Sequence, residues 1–268
     1  MLVLYAALLA YPMGLVAVRA FTSEDTGAVT LDNFRVLVVD PIYVSVVLDT
    51  VRVASVTTAF CLVLGFLVSF VIARMQRWGG LLEGLVLIPL MTSVLVRAFV
   101  WIALLEDRGV INSALMGLGI TSRPIQLVYN ETGVIIGMVH VMLPLTIIPM
   151  LAVFRRIDNR LLRASDSLGA SPWTTFWRIY LPLSAPGVYA GGLLCFVLSL
   201  GFYVTPAMLG GGQTMLLAQQ IEVQVKRLLQ LNQASALSLS LIFLVVLAWA
   251  LVAVLRRIRS ATRKQEQS

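Results

Sequence analysis

Long, nearly unbroken apolar runs alternate with shorter polar segments along the whole chain. A helix rises about 1.5 Å per residue, so a run of about 20 residues crosses a hydrocarbon core of about 30 Å. The pattern predicts spans at about 2–21, 51–73, 81–105, 133–154, 183–207 and 236–255, and therefore an all-α membrane protein of six transmembrane helices. Pro89 is expected to kink the third span, and Pro144 and Pro149 lie inside the fourth. The polar intervals are short and carry no core-forming pattern of their own, so residues 1–268 read as a single transmembrane domain. The first span lacks the basic flank and Ala-x-Ala site of a cleaved leader, and is expected to stay as a membrane helix.

Composition sharpens this picture. Apolar residues make up 59% of the chain and charged residues 12%, which excludes an ordinary soluble domain. The net charge of +7 gathers in particular loops, as membrane topology requires, and is no argument for nucleic-acid binding. About 12 Lys and Arg fall in the basic turn 74–80, the segment 155–182 and the tail, against 5 in the segments 22–50, 106–130 and 206–235. That bias puts both termini in the cytoplasm. The tail Arg256 to Lys264 reads as a solvated stop-transfer segment. Cys61 and Cys195 sit inside apolar runs, away from any metal or redox spacing, and read as small packing residues.

The polar island from Arg155 to Pro186 carries the most specific pattern. Leu161, Leu162, Ser165 and Leu168 recur at helical spacing, and Gly169 can supply the left-handed residue that ends a helix. Ser171-Pro172 then supplies an N-cap followed by proline at the first helical position. The spacing predicts two short helices sharing a hinge, the second limited by Pro182.

This segment resembles the cytoplasmic coupling loop of permease subunits in binding-protein-dependent ABC importers, whose pattern is Glu-Ala-Ala, three residues, Gly, nine residues, Ile-x-Leu-Pro. Here the pattern falls on Arg163-Ala164-Ser165, then Gly169, then Ile179-Tyr180-Leu181-Pro182. The Gly and the Ile-x-Leu-Pro match, while Arg163 and Ser165 replace the Glu and the second Ala. The resemblance implies that Arg163, Ala164, Ser165, Asp166, Leu168, Gly169, Ala170, Pro172, Ile179, Leu181 and Pro182 form the contact with an ATPase subunit. It also implies that Thr30 to Phe34 begins a short external helix, and that the protein lies in the inner membrane.

Gly201-Phe202-Tyr203-Val204-Thr205-Pro206-Ala207-Met208-Leu209-Gly210-Gly211 resembles the matching stretch of spermidine/putrescine-type permeases, as do Leu95 to Trp101 and Gly109 to Asn112. Polyamines or related small organic solutes are the implied cargo. The implied partners are two copies of an ABC ATPase, a second homologous permease, an external solute-binding protein and the lipid bilayer. No cofactor is expected on this chain, and ATP with Mg2+ belongs to the partner ATPase. Leu209-Gly210-Gly211-Gly212-Gln213 also resembles the signature of those ATPases, but the chain has no Gly-x-x-x-x-Gly-Lys-Ser/Thr loop to cradle phosphates. Thr205-Pro206 and the triple glycine read either as irregular backbone lining a cavity or as a turn at a helix end.

Arg97 lies well inside the third span, where a charge is costly. It either lines a transport path, with Tyr203 and Thr205 as further path candidates, or fixes packing by snorkelling or pairing with carbonyls. His140, the single histidine, has no metal-ligand spacing and no adjacent nucleophile, and reads as a packing residue. No metal site or catalytic set is visible. A membrane-embedded enzyme would need paired carboxylates, a His-Glu-x-x-His pattern or a Ser with a base. A stand-alone channel or secondary transporter would be expected to carry mid-membrane Asp or Glu. Within the importer reading, amino-acid derivatives, thiamine-like molecules and anionic solutes remain alternative cargoes.

Overall fold

The computed structural model describes the backbone of residues 1–265 except Asp25 and Gln76, and the side chains of those residues except 2–7, 9, 159 and 255–265. Most side chains of the basic tail, and many of the first span, thus lie outside the described residues. Among the described residues the chain is helical, with a lone bridge between Thr22 and Val29. The elements are α1 (Leu2–Ala20), α2 (Asp32–Val39), α3 (Pro41–Arg74), α4 (Gly79–Met91), α5 (Val94–Leu105), α6 (Val110–Gly117) and α7 (Glu131–Phe154). They continue with α8 (Asn159–Ser167), α9 (Pro172–Thr175), α10 (Leu181–Leu200), α11 (Val204–Leu209), α12 (Leu217–Val223) and α13 (Leu231–Gln265).

Four continuous segments are long and apolar enough to cross a membrane: Pro41–Arg74, Glu131–Phe154, Pro172–Leu200 and Leu231–Val254. The bent pair Gly79–Met91 and Val94–Gly117, which is α4 followed by α5 and α6, counts as a fifth when taken as one broken span. These five overlap the spans expected from about 51 onward, but several boundaries move. The second span begins ten residues earlier than 51, because Asp40 accepts from Ile42 N and Pro41 fits the first helical position. Its 34 residues exceed the thickness of the hydrocarbon core. The segment expected to be an external loop over 22–49 is therefore largely helical. The 106–130 loop likewise contains α6, anchored by Asn112, which exchanges two hydrogen bonds with the Ile125 backbone.

The third span is not one kinked helix. Pro89 removes a backbone donor near the end of α4, Thr92 Oγ1 donates to Pro89 O at 2.8 Å, and Thr92 and Ser93 are extended. The chain turns by 96° there before α5 begins. The fifth span ends at Leu200 rather than near 207, and Thr205-Pro206 do not break a helix: both are buried within α11. Pro206 stands in the first turn, where a missing N–H costs nothing. The last helix starts at Leu231 and runs past 255.

Helix α7 is the central post, with 56% of its apolar window buried, whereas α13 is peripheral with 6%. Helices α3, α7 and α10 meet where side chains are small. Gly65 faces Thr146, a Cβ on Gly191 would stand 2.7 Å from Thr146 O, and one on Gly187 would stand 3.1 Å from Met150 Cα. Small residues let helix backbones approach closely enough for dispersion to hold them in a medium with no hydrophobic drive of its own. Cys61 and Cys195 are buried in this seam, as packing residues should be. At one end Asn33 donates to Ala20 O and Thr22 O, and Asn232 donates to Thr22 O, tying α1, α2 and α13 together.

Candidate functional site

The polar island folds as a helix, a hinge and a second helix. Asp158 caps α8 through Arg160 N, and Ser171 caps α9 by accepting from Thr174 N at 3.2 Å. Between them Gly169 has φ +79, the left-handed conformation its sequence position called for. Pro182 does not limit the second helix, contrary to expectation. The helix runs on from Pro172 to Leu200 through a π-turn at Phe176–Tyr180. The widened turn bonds Leu181 N to Phe176 O and loosens the ladder just where Pro182 brings no N–H.

Ser165 is the buried residue of the α8 face; Leu161 and Leu168 are instead 50% and 88% exposed. Ser165 Oγ lies 2.9 Å from Thr175 Oγ1, so the hydroxyl that replaces the pattern's alanine finds its partner across the hinge. Ala164, Arg163 and Asp166 are exposed on α8, as is Pro172 at the start of α9, while Ala170, Ile179, Leu181 and Pro182 are half-buried. Trp173 is 71% exposed and stacks edge-on with Trp177. Leu161, Leu168 and Trp173 thus give the loop an uncovered apolar surface beside charged residues, the composition of a docking patch.

Behind this patch lies an aromatic cage that the sequence pattern did not disclose. Tyr180 is buried against Phe66 and Phe70 of α3, Phe154 of α7 and Phe176 of the π-turn, with ring centroids 5.0–6.3 Å apart. The Arg74 guanidinium covers the Phe70 ring at 4.0 Å, a cation–π contact at the end of α3. A shift of the loop therefore bears on α3 and α7 through packed rings. The signals available were the phenylalanines at 66 and 70, one helical turn apart, and the pairing of Ser165 with a threonine ten residues on.

The path candidates are not gathered into one cavity. Arg97 and Thr205 are buried on α5 and α11, which pack against each other, while Tyr203 is exposed at the break after α10. Glu222 is held below the usual carboxylate range, first by the Tyr203 hydroxyl and next by Lys226 at 3.0 Å. His140 is satisfied as expected: its Nδ1 accepts from Trp101 Nε1 at 3.1 Å. The triple glycine closes a tight contact, where Gly211, at φ +57, lies so near that a Cβ would stand 2.5 Å from Tyr129 Cβ. Among the described residues no three His, Cys, Asp or Glu side chains gather as a metal site.

Residues 61–261 match the family described as binding-protein-dependent transport system inner membrane component, and the chain belongs to that family. It is similar to the spermidine/putrescine transport system permease protein PotB of Escherichia coli (strain K12), 32% identical over 238 residues, which are 88% of this chain and 86% of that one. PotB of Haemophilus influenzae is 33% identical over 72% of this chain and 68% of that protein. The putative 2-aminoethylphosphonate transport system permease protein PhnU of Salmonella typhimurium (strain LT2) is 32% identical over 74% of this chain and 70% of that one. Among solved structures, a bacterial ABC transporter that imports the acidic polysaccharide alginate has the same fold, with a TM-score of 0.72 at 16% identity over 96% of this chain and 91% of that one. The protein is a multi-pass permease subunit of an ABC importer in the inner membrane, not an enzyme; in this family ATP hydrolysis belongs to a separate subunit.

Proposed function

We propose that this chain forms half of the translocation path of an ATP-driven importer for a small amine-bearing organic solute of the polyamine type. The observation that carries the cargo is the likeness to PotB across most of both chains. An external solute-binding protein delivers the solute, and a second, homologous permease completes the path. Two copies of an ATPase holding ATP and Mg2+ seat on the loops, here on the surface of Leu161, Arg163, Asp166, Leu168 and Trp173. The domain is one unit of six crossings with both termini in the cytoplasm, which the distribution of Lys and Arg supports. On that topology the loop of α8 and α9 faces the ATPase, and Tyr203, Glu222 and the 106–130 segment face outward.

A second reading is favoured by one observation. Arg97 is a cation buried within the protein just after the break between α4 and α5, and the relative PhnU is named for a phosphonate. On this reading the cargo carries an anionic group. Calorimetric titration of the cognate external binding protein decides between the two: tight spermidine or putrescine binding supports the first, and 2-aminoethylphosphonate binding without polyamine binding supports the second.

A further inference from the structure

Away from the coupling loop, α5 and α7 bring together donors that the loop does not use. Arg97, in the first turn of α5, is 8% exposed, and its Nε and Nη1 are buried without a hydrogen-bond partner. One turn along the same helix, Trp101 donates from Nε1 to Nδ1 of His140 on α7. An imidazole that accepts at Nδ1 is neutral and carries its proton on Nε2, which makes His140 a further donor. Arg97 and Trp101 are four residues apart and share a face of α5, so the His140 ring bound to Trp101 stands on the Arg97 side of that helix. The ion pairs among the described residues join Arg52 to Glu131, Arg155 to Glu83 and Lys226 to Glu222, and none reaches Arg97.

A buried guanidinium with two idle donors is costly unless an opposite charge meets it during assembly or turnover. We propose that Arg97 and His140 form a seat for an oxyanion, a carboxylate or phosphonate group that comes from outside this chain. In a guanidinium Nε–H shares one edge with Nη2–H and Nη1–H shares the other, so each idle donor can serve one oxygen of such a group along its own edge, and the imidazole Nε2–H adds a further donor. The oxyanion belongs either to the solute or to an Asp or Glu in the spans of the second permease. This inference rests on the importer reading for its two candidate sources.

The test measures thermal unfolding in lipid nanodiscs for the full chain alone and for the chain assembled with its second permease and ATPase. Removing a cation that nothing neutralises should leave the isolated chain's midpoint unchanged or higher in Arg97→Met. If a partner carboxylate is the source, the same variant lowers the midpoint of the assembled complex by several degrees, and Arg97→Lys recovers part of the loss. If the solute is the source, the complex without solute is unchanged. Millimolar 2-aminoethylphosphonate or γ-aminobutyrate then raises the wild-type midpoint but not that of Arg97→Met or His140→Gln, while putrescine, which has no oxyanion, acts alike on all three. The proposal falls if Arg97→Met lowers the midpoint equally in the isolated chain and in the complex, which marks a packing role. It falls equally if the variant alters neither and no anionic probe separates it from wild type. Failure of the wild type to assemble with any ATPase would count against the importer reading instead, and the anionic probes on the isolated chain would still decide the seat.

Discussion

Ser165 Oγ and Thr175 Oγ1 face each other at 2.9 Å, both buried, across the hinge between α8 and α9. Ser165→Ala restores the residue of the family pattern yet leaves the Thr175 hydroxyl buried without this partner, at a cost of about 1–2 kcal/mol. Ser165→Ala with Thr175→Val removes both groups and should be closer to wild type. A double-mutant cycle on thermal stability checks this; additive effects would show that the pair does not interact.

Gly169 has φ +79, and a Cβ built on it meets nothing within 4 Å. The cost of Gly169→Val therefore comes from backbone strain alone, about 1–2 kcal/mol. The variant should insert and let the ATPase bind ATP, while solute-stimulated hydrolysis and uptake both fall. Gly169→Asn, which tolerates the left-handed region, should keep most of the activity. Wild-type stimulation in Gly169→Val would show that the hinge does not couple hydrolysis to transport.

Two glycines should respond in opposite senses to the same change. A Cβ at Gly191 would meet a backbone carbonyl, Thr146 O, at 2.7 Å, so Gly191→Ala must push α7 and α10 apart, at about 1–3 kcal/mol. At Gly84 in α4 nothing stands within 4 Å, and Gly84→Ala should stabilise the helix by about 0.5–1 kcal/mol. Detergent-stability midpoints of the two variants give the comparison, and equal shifts would refute the close-packing account.

Arg163 is exposed on α8, so Arg163→Glu should change the permease's own stability by less than about 0.5 kcal/mol. Because the change restores the Glu of the family pattern, ATPase association should be kept if the contact there is generic, and should weaken, more strongly at low salt than at high salt, if the ATPase carries a matching acidic residue. Co-purification at two ionic strengths measures it: a salt-dependent loss shows the acidic partner, and unchanged recovery at both shows a generic contact.

The helical class and the core spans were legible because apolar runs of that length have few other uses, and the hinge was legible because Gly169 and Ser171-Pro172 have narrow conformational preferences. The break after Met91 was not: Pro89 announced a kink, but the 96° turn depends on Thr92 and Ser93 taking extended backbone, which the sequence allows without requiring. Pro182 misled in the other direction, since a π-turn five residues long absorbed a proline that would end an ordinary helix. The aromatic cage of Tyr180 draws Phe66 and Phe70 from more than a hundred positions away, so their helical spacing marked a shared face without showing what it meets. Arg97 was singled out by its charge alone, whereas the idle state of its donors needed the packed structure.

Uptake of radiolabelled spermidine into proteoliposomes holding this chain, its second permease and the ATPase tests the central claim most directly. Accumulation should require both internal ATP and the external binding protein, and should collapse when Gly169→Val replaces the wild-type chain. Accumulation without ATP, or by this chain alone, would contradict the account.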